Sequence, residues 1–159
     1  MADIPVTMAI RVLRAHKVAF VPHRYAWQPG GGTAGSAAAL GVDEHVVIKT
    51  LIFERENGEP FCVLMHGDRE VSTKALARHL GEKSVRPCKP EVADRHSGYQ
   101  IGGTSPFGLR KAMPVFMEAS IAQLPRLYIN GGARGFLVEL APAALVAVLR
   151  PSLVAVATV

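Results

Sequence analysis

Cysteine is scarce: Cys62 and Cys88 are the only two in 159 residues. Two thiols cannot build a disulfide framework, and the six histidines (His16, His23, His45, His66, His79 and His96) show none of the short paired spacings of a zinc site. Cys62 lies in PFCVLM, which reads as a buried strand, so its expected role is packing. Aromatic residues make up only 6%, so the core is expected to be Val, Leu, Ile and Ala. No apolar run approaches the roughly 20 residues of a membrane-spanning helix. The segment MADIPVTMAIRVLRAHK lacks the basic-then-apolar order of an export signal. A cytoplasmic location is expected. Also missing are a G-x-S-x-G elbow, an H-E-x-x-H helix, a Gly-Lys-Ser/Thr phosphate loop and a dinucleotide fingerprint, which removes the motif-based case for those four chemistries. Asp94, His96 and Ser105 could be assembled into a triad on paper. The first two sit in a polar helix end, and nothing in the sequence brings them within hydrogen-bond reach of the serine.

What is present is a globular composition, 49% hydrophobic and 19% charged, in a length suited to one domain spanning residues 1–159. Lysine and arginine total 18 against 13 acids, a net charge of +5. The excess is uneven: Arg11, Arg14, Lys17 and Arg24 are uninterrupted by an acid, and Lys83, Arg86 and Lys89 precede Arg110 and Lys111. This balance suits a polyanionic partner through counterion release, although a merely solvated basic surface gives the same composition.

Residues 5–17 have helical spacing, VAFVPHRYAW reads as extended, QPGGGTAG as a flexible gap, and SAAALG as a short helix stopped by Gly41. VVIKTLIF, ENGE and PFCVLM form a strand, a turn and a strand. STKALARHLG is a helix capped by Ser72 and ended by Gly81, and PEVADRHSG is a second one. Strands PVFMEAS, RLYIN and GFLVEL follow, then helix APAALVAVLR with proline in its first turn and a short strand in VAVATV. The expected fold is α/β (α+β) with a mixed sheet flanked by helices.

Lys49 is the most informative single position. Side chains alternate faces along a strand, so Val47, Lys49, Leu51 and Phe53 share one face and Ile48, Thr50 and Ile52 the other. Both faces are apolar, as in a central covered strand. A buried ammonium there must reach an anion, a carbonyl or a wet cleft; otherwise its stem reaches the rim or it meets a structural acid such as Glu118 or Glu139. The second candidate is GYQIGGTSPFGLRK. Gly102 and Gly103 remove two successive side chains, so a ligand can approach the main chain and consecutive N–H groups can form an anion-binding nest. A structural hairpin turn explains the same glycines.

Taken in order, VIKTLI around Lys49, VSTKALARHLG, GYQIGGTSPFGLRK and YINGGARGFLVEL resemble the YbaK/EbsC-type proteins, free-standing relatives of the editing domain inserted in bacterial prolyl-tRNA synthetases. The similarity runs from about residue 5 to residue 150. It implies a curved, partly barrel-like sheet and a deacylase for mischarged aminoacyl-tRNA, with Cys-tRNA(Pro) the usual substrate of the YbaK branch. It places the family's essential lysine on Lys49 and its site tyrosine on Tyr25. Its substrate loop falls on Gly102 and Gly103. Thr50, Thr104, Ser105 and Pro106 are then expected to bind substrate. No metal or organic cofactor is implied. The implied partners are the aminoacyl-tRNA acceptor end and prolyl-tRNA synthetase. In the YbaK branch the substrate's own thiol attacks its carbonyl, which matches a chain without a triad. Three positions depart from the pattern: Ala34 falls near a frequent pocket aromatic, Ala133 interrupts the usual GGKRG turn, and Leu137 replaces an acid. These surround the amino-acid pocket, so alanine or another small amino acid stays open as the substrate, as does a binding module without turnover.

Overall fold

The computed structural model describes residues 4–158. Five α-helices, Met8–Ala15 (α1), Gly32–Leu40 (α2), Thr73–Leu80 (α3), Pro90–Ser97 (α4) and Pro142–Leu149 (α5), surround ten strands. The strands are Val21–Arg24 (β1), Val47–Arg55 (β2), Pro60–His66 (β3), Glu70–Val71 (β4), Val85–Pro87 (β5), Val115–Glu118 (β6), Leu127–Ala133 (β7), Phe136–Leu140 (β8), Ser152–Val154 (β9) and Ala157–Thr158 (β10). The main sheet runs β1-β8-β7-β2-β3-β6-β9, with β5 also paired to β2, while β4 and β10 form a separate small ladder. The β2–β7, β3–β6 and β6–β9 pairs are parallel and the others antiparallel, so the sheet is mixed. Among the described residues no helix is long and apolar enough to cross a membrane.

The helix ends follow the local chemistry. Thr7 and Ser72 cap α1 and α3 by accepting the N–H groups of Ile10 and Ala75, both at 3.1 Å. Gly41 and Gly81 close α2 and α3 in the left-handed conformation that favours glycine. One boundary differs from expectation. α2 begins at Gly32 and takes in the GTAG of the expected gap, because a turn from Gly31 N–H to the Gln28 carbonyl (3.0 Å) starts the helix early.

Central strands have both faces covered. Ile48 and Ile52 of β2, with Cys62 and Leu64 of β3, face the largest cluster, built on Ile10 and Leu13 of α1 and Leu145 of α5. Phe53, Phe61, Val63 and Met65 face a second cluster under Leu76 and Ala77 of α3. Cys62 is fully buried and desolvation pushes its thiol up to about 12, so it is packing material. A small third cluster joins Val47 to Ala37 of α2 and Leu137 of β8. Lys49 lies on the Val47–Phe53 face, at the seam between the α2 and α3 clusters.

Candidate active site

The site is a break in the sheet. On one edge of β2, Val47 and Ile48 pair with Tyr128 and Ile129 of β7, whereas Phe53–Arg55 pair with β5. Cys88 N–H extends the β5 side by donating to the Ile52 carbonyl at 2.9 Å. Neither neighbour covers the stretch from Lys49 to Leu51. Peptide groups alternate between strand edges, so the N–H and C=O of Thr50 share the Ile52 edge and point into the opening. The opening widens into a cleft of about 620 Å³, within the range of small-ligand sites. Its walls carry Tyr25, Lys49, Thr50, Gly102, Thr104 and Arg134, with Ile48, Ile52, Ala93 and Leu137 supplying apolar surface.

Lys49 meets neither acid suggested by the sequence. Glu118 is buried and accepts the Val156 N–H at 2.7 Å, and Glu139 pairs with His23 (2.8 Å) and Arg126 (3.1 Å). The Lys49 ammonium instead lies 3.4 Å from Glu70, whose side chain is 78% exposed while that of Lys49 is only 18% exposed. A solvated carboxylate at this distance contributes about 1 kcal/mol or less. The cation is therefore held at the cleft and is easily captured by a stronger anion.

Tyr25 and Thr50 flank the cleft in different states. The Tyr25 phenol is raised above its ordinary value chiefly by burial, against the opposing effect of its hydrogen bond with Ser36. It stays protonated at neutral pH and can donate. The Thr50 hydroxyl oxygen is buried and has no hydrogen-bond partner among the described residues. An unpartnered buried hydroxyl costs on the order of 1–3 kcal/mol.

The glycine loop sits differently from expectation. Gly102 lines the cleft, with φ of +86°, and a Cβ there would lie 2.9 Å from Trp27 Nε1. The Gly103 N–H donates to the Gln100 carbonyl at 2.8 Å and closes the turn, so it is committed internally and the expected two-glycine nest is not formed. Gly103 is buried against the Ala133–Arg134 backbone, where a Cβ would lie 2.9 Å from Arg134 N. Thr104 lines the cleft, but Gly103, Ser105 and Pro106 do not. Ser105 is fully buried, and its Oγ accepts the Phe107 N–H at 3.2 Å, a turn-building role in place of the expected ligand contact. Pro106 is buried in the same turn. Gly103→Val is thus expected to destabilise the fold by about 1–3 kcal/mol through overpacking against main chain, as well as slowing turnover. A urea unfolding curve checks this, and an unchanged midpoint would contradict the close packing.

Four further residues complete the site: Asn130, Trp27 and Arg134, which sequence reading passed over, and Asp94, which it weighed only as part of a triad. Asn130 holds the β7–β8 bulge and the loop together. Its Nδ2 donates to the Gly102 and Ala133 carbonyls, both at 3.2 Å, while its Oδ1 accepts from Gly132 N–H (2.6 Å) and Ala133 N–H (3.1 Å). The Arg134 guanidinium lies 4.3 Å from the Trp27 ring centre, and its Nε donates to the Ile101 carbonyl at 2.9 Å. The N-G-G run and the lone tryptophan are the signals that could have drawn attention to Asn130 and Trp27. Of the departures from the family pattern, Leu137 lines the cleft, whereas Ala34 and Ala133 do not.

No histidine lines the cleft among the described residues. Cys88 does, but desolvation, followed by the hydrogen bond and charge of Glu54, pushes its thiol up to about 12, so the thiolate is scarce at neutral pH. The walls offer hydroxyls without an imidazole base, two cations and one carboxylate.

Residues 29–148 match the family described as the aminoacyl-tRNA editing domain, and the chain belongs to that family. It is 31% identical over 140 residues to the Enterococcus faecalis protein named "Putative Cys-tRNA(Pro)/Cys-tRNA(Cys) deacylase EbsC", covering 87% of this chain and 85% of that one. It is also 34% identical over 94 residues to a proline–tRNA ligase of Nitratidesulfovibrio vulgaris (strain DP4), covering 58% of this chain and 16% of the ligase. Among solved structures, "hypothetical protein APE2540" superposes with a TM-score of 0.86 at 23% identity, covering 95% of this chain and 99% of that one. A "putative trans-editing enzyme for prolyl tRNA synthetase" superposes at 0.83 with 21% identity, covering 99% and 100%. The expected fold and family are both met.

Proposed function

We propose that this chain hydrolyses the ester of a mischarged aminoacyl-tRNA, with Cys-tRNA(Pro) as the leading substrate. The observation that carries the reading is the interrupted edge of β2. It sets the Lys49 ammonium, the Thr50 hydroxyl and the Gly102 turn around one cleft large enough for an aminoacyl ester and its terminal ribose. Lys49 and Arg134 attract the phosphate-bearing end. Tyr25, Thr50 and the Gly102 loop position the ester, which is already activated toward attack, so positioning supplies much of the rate. With cysteine as the aminoacyl group, its thiolate sulfur bonds to the carbonyl carbon and the ester C–O bond breaks. The departing ribose oxygen takes a proton, and water opens the resulting four-membered thiolactone to free cysteine. No protein nucleophile is needed, in keeping with a cleft wall that, among the described residues, has no imidazole and one protonated cysteine.

The test is release of labelled amino acid from Cys-tRNA(Pro) and Ala-tRNA(Pro) at protein concentrations far below substrate. Multiple turnover of Cys-tRNA(Pro) is expected. Release only at stoichiometric protein would make the chain a binding module, and equal turnover of free amino-acid esters would remove tRNA from the reaction. The alanine arm is included because Leu137 puts apolar surface in the cleft. Prolyl-tRNA synthetase is proposed as a partner, since a chain of 159 residues presents little surface for reading a whole tRNA.

A further inference from the structure

We propose that Asp94 binds the α-ammonium group of the aminoacyl ester, so that the cleft selects esters with a free amine and rejects N-blocked ones. This rests on the deacylase reading and adds to it an orientation and a substrate class. Asp94 is the only acid in the cleft wall among the described residues. It is presented by the face of α4 that also carries Pro90 and Ala93, positions three and four residues apart that a helix stacks on one side. It is half-buried, and its carboxylate makes no hydrogen bond or ion pair among the described residues. The two cations of the cleft are engaged elsewhere: Lys49 with Glu70, and Arg134 with the Ile101 carbonyl and the Trp27 ring. A carboxylate in the wall of a largely apolar cleft, without a cation of its own among the described residues, is a ready partner for a ligand cation.

The substrate has one such cation. An aminoacyl ester carries an α-ammonium next to the reactive carbonyl, and every other charge on the acceptor end is a phosphate. An ammonium has three N–H donors. Asp94 accepts one of them across the cleft wall that α4 shares with β2. The charges of the cleft then read as a direction. The amine turns toward α4, the phosphates toward Lys49 and Arg134, and the ester carbonyl lies between them over the uncovered edge of β2. Formylated and peptide-bearing esters have no ammonium. They would leave Asp94 unpaired and crowd α4, so they are spared.

The experiment compares one aminoacyl-tRNA(Pro), with a free or an N-acetylated amine, as substrate for the wild-type chain and Asp94→Asn. A second arm measures binding of the matching aminoacyl-3′-amino-adenosines, which carry an amide in place of the ester. The wild type is expected to favour the free amine by about 10- to 100-fold in kcat/KM and in Kd, the range of a hydrogen bond to a charged group. Asp94→Asn is expected to bring the ratio near one by lowering only the free-amine value. A structural role for Asp94 would depress both forms alike. Equal handling of the two forms by the wild type, or an unchanged ratio in Asp94→Asn, overturns the proposal. Absence of turnover with amine preference retained in the binding arm would sink the deacylase reading and leave this assignment standing.

Discussion

Lys49→Ala is expected to lower kcat/KM for deacylation by about 100- to 1,000-fold, the range seen when one electrostatic donor is removed from a preorganised site. Stability should change little. The Lys49 ammonium touches a single carboxylate, that of the exposed Glu70, and such pairs contribute at most about 1 kcal/mol. The combination is diagnostic: a structural lysine loses folding and activity together, whereas a lysine held for a ligand loses activity alone. Lys49→Arg should recover part of the rate, because charge is retained while the planar fork misplaces it. Deacylation kinetics beside a thermal melt read both quantities. Full activity in Lys49→Ala would remove this residue from the reaction.

Asn130→Ala is expected to destabilise the protein by about 2–3 kcal/mol, because one side chain serves four main-chain groups at net values near 1 kcal/mol each, reduced by partial exposure. Activity should fall with it, since the bond to the Gly102 carbonyl ties the cleft loop to the β7–β8 bulge. Asn130→Asp separates the two roles. The carboxylate still accepts from Gly132 and Ala133 but repels the Gly102 and Ala133 carbonyls. The bulge should therefore survive better than the loop, and turnover should suffer more than stability. Urea unfolding and kcat/KM distinguish these outcomes, and an unchanged midpoint in Asn130→Ala would show that bulge and loop hold without this side chain.

The parts of this molecule that are legible in the sequence are those set by neighbours in the chain. Ser72 and Gly81 mark the ends of α3 because caps act within a few residues. The two apolar faces of VVIKTLIF identify a covered strand, and Lys49 stands out against them. The cleft itself is not written locally. It exists because β2 is shared by β7 and β5, which arrive from different parts of the chain and stop short of each other. β4 and β5, of two and three residues, are too short to show a period, so Glu70 could not be foreseen beside Lys49. Ser105 misleads for a different reason. A hydroxyl next to glycine and proline serves a tight turn as readily as a ligand, and burial decides between them. Asp94 sits in a stretch that looks like solvated helix, and only the packing of α4 beside β2 turns it toward the cleft.

A binding site made by leaving a few rungs out of a ladder behaves differently from one hung on loops. Its floor is a sheet strand, anchored on the far edge by an unbroken seven-residue pairing from Ile48 to Glu54 with β3. Such a floor cannot lengthen or fold over a guest, so preference among amino acids must be altered one side chain at a time along its rim. Discrimination by size therefore comes from a rigid gauge, and relatives with different tastes should differ at those rim positions while the gap stays the same width.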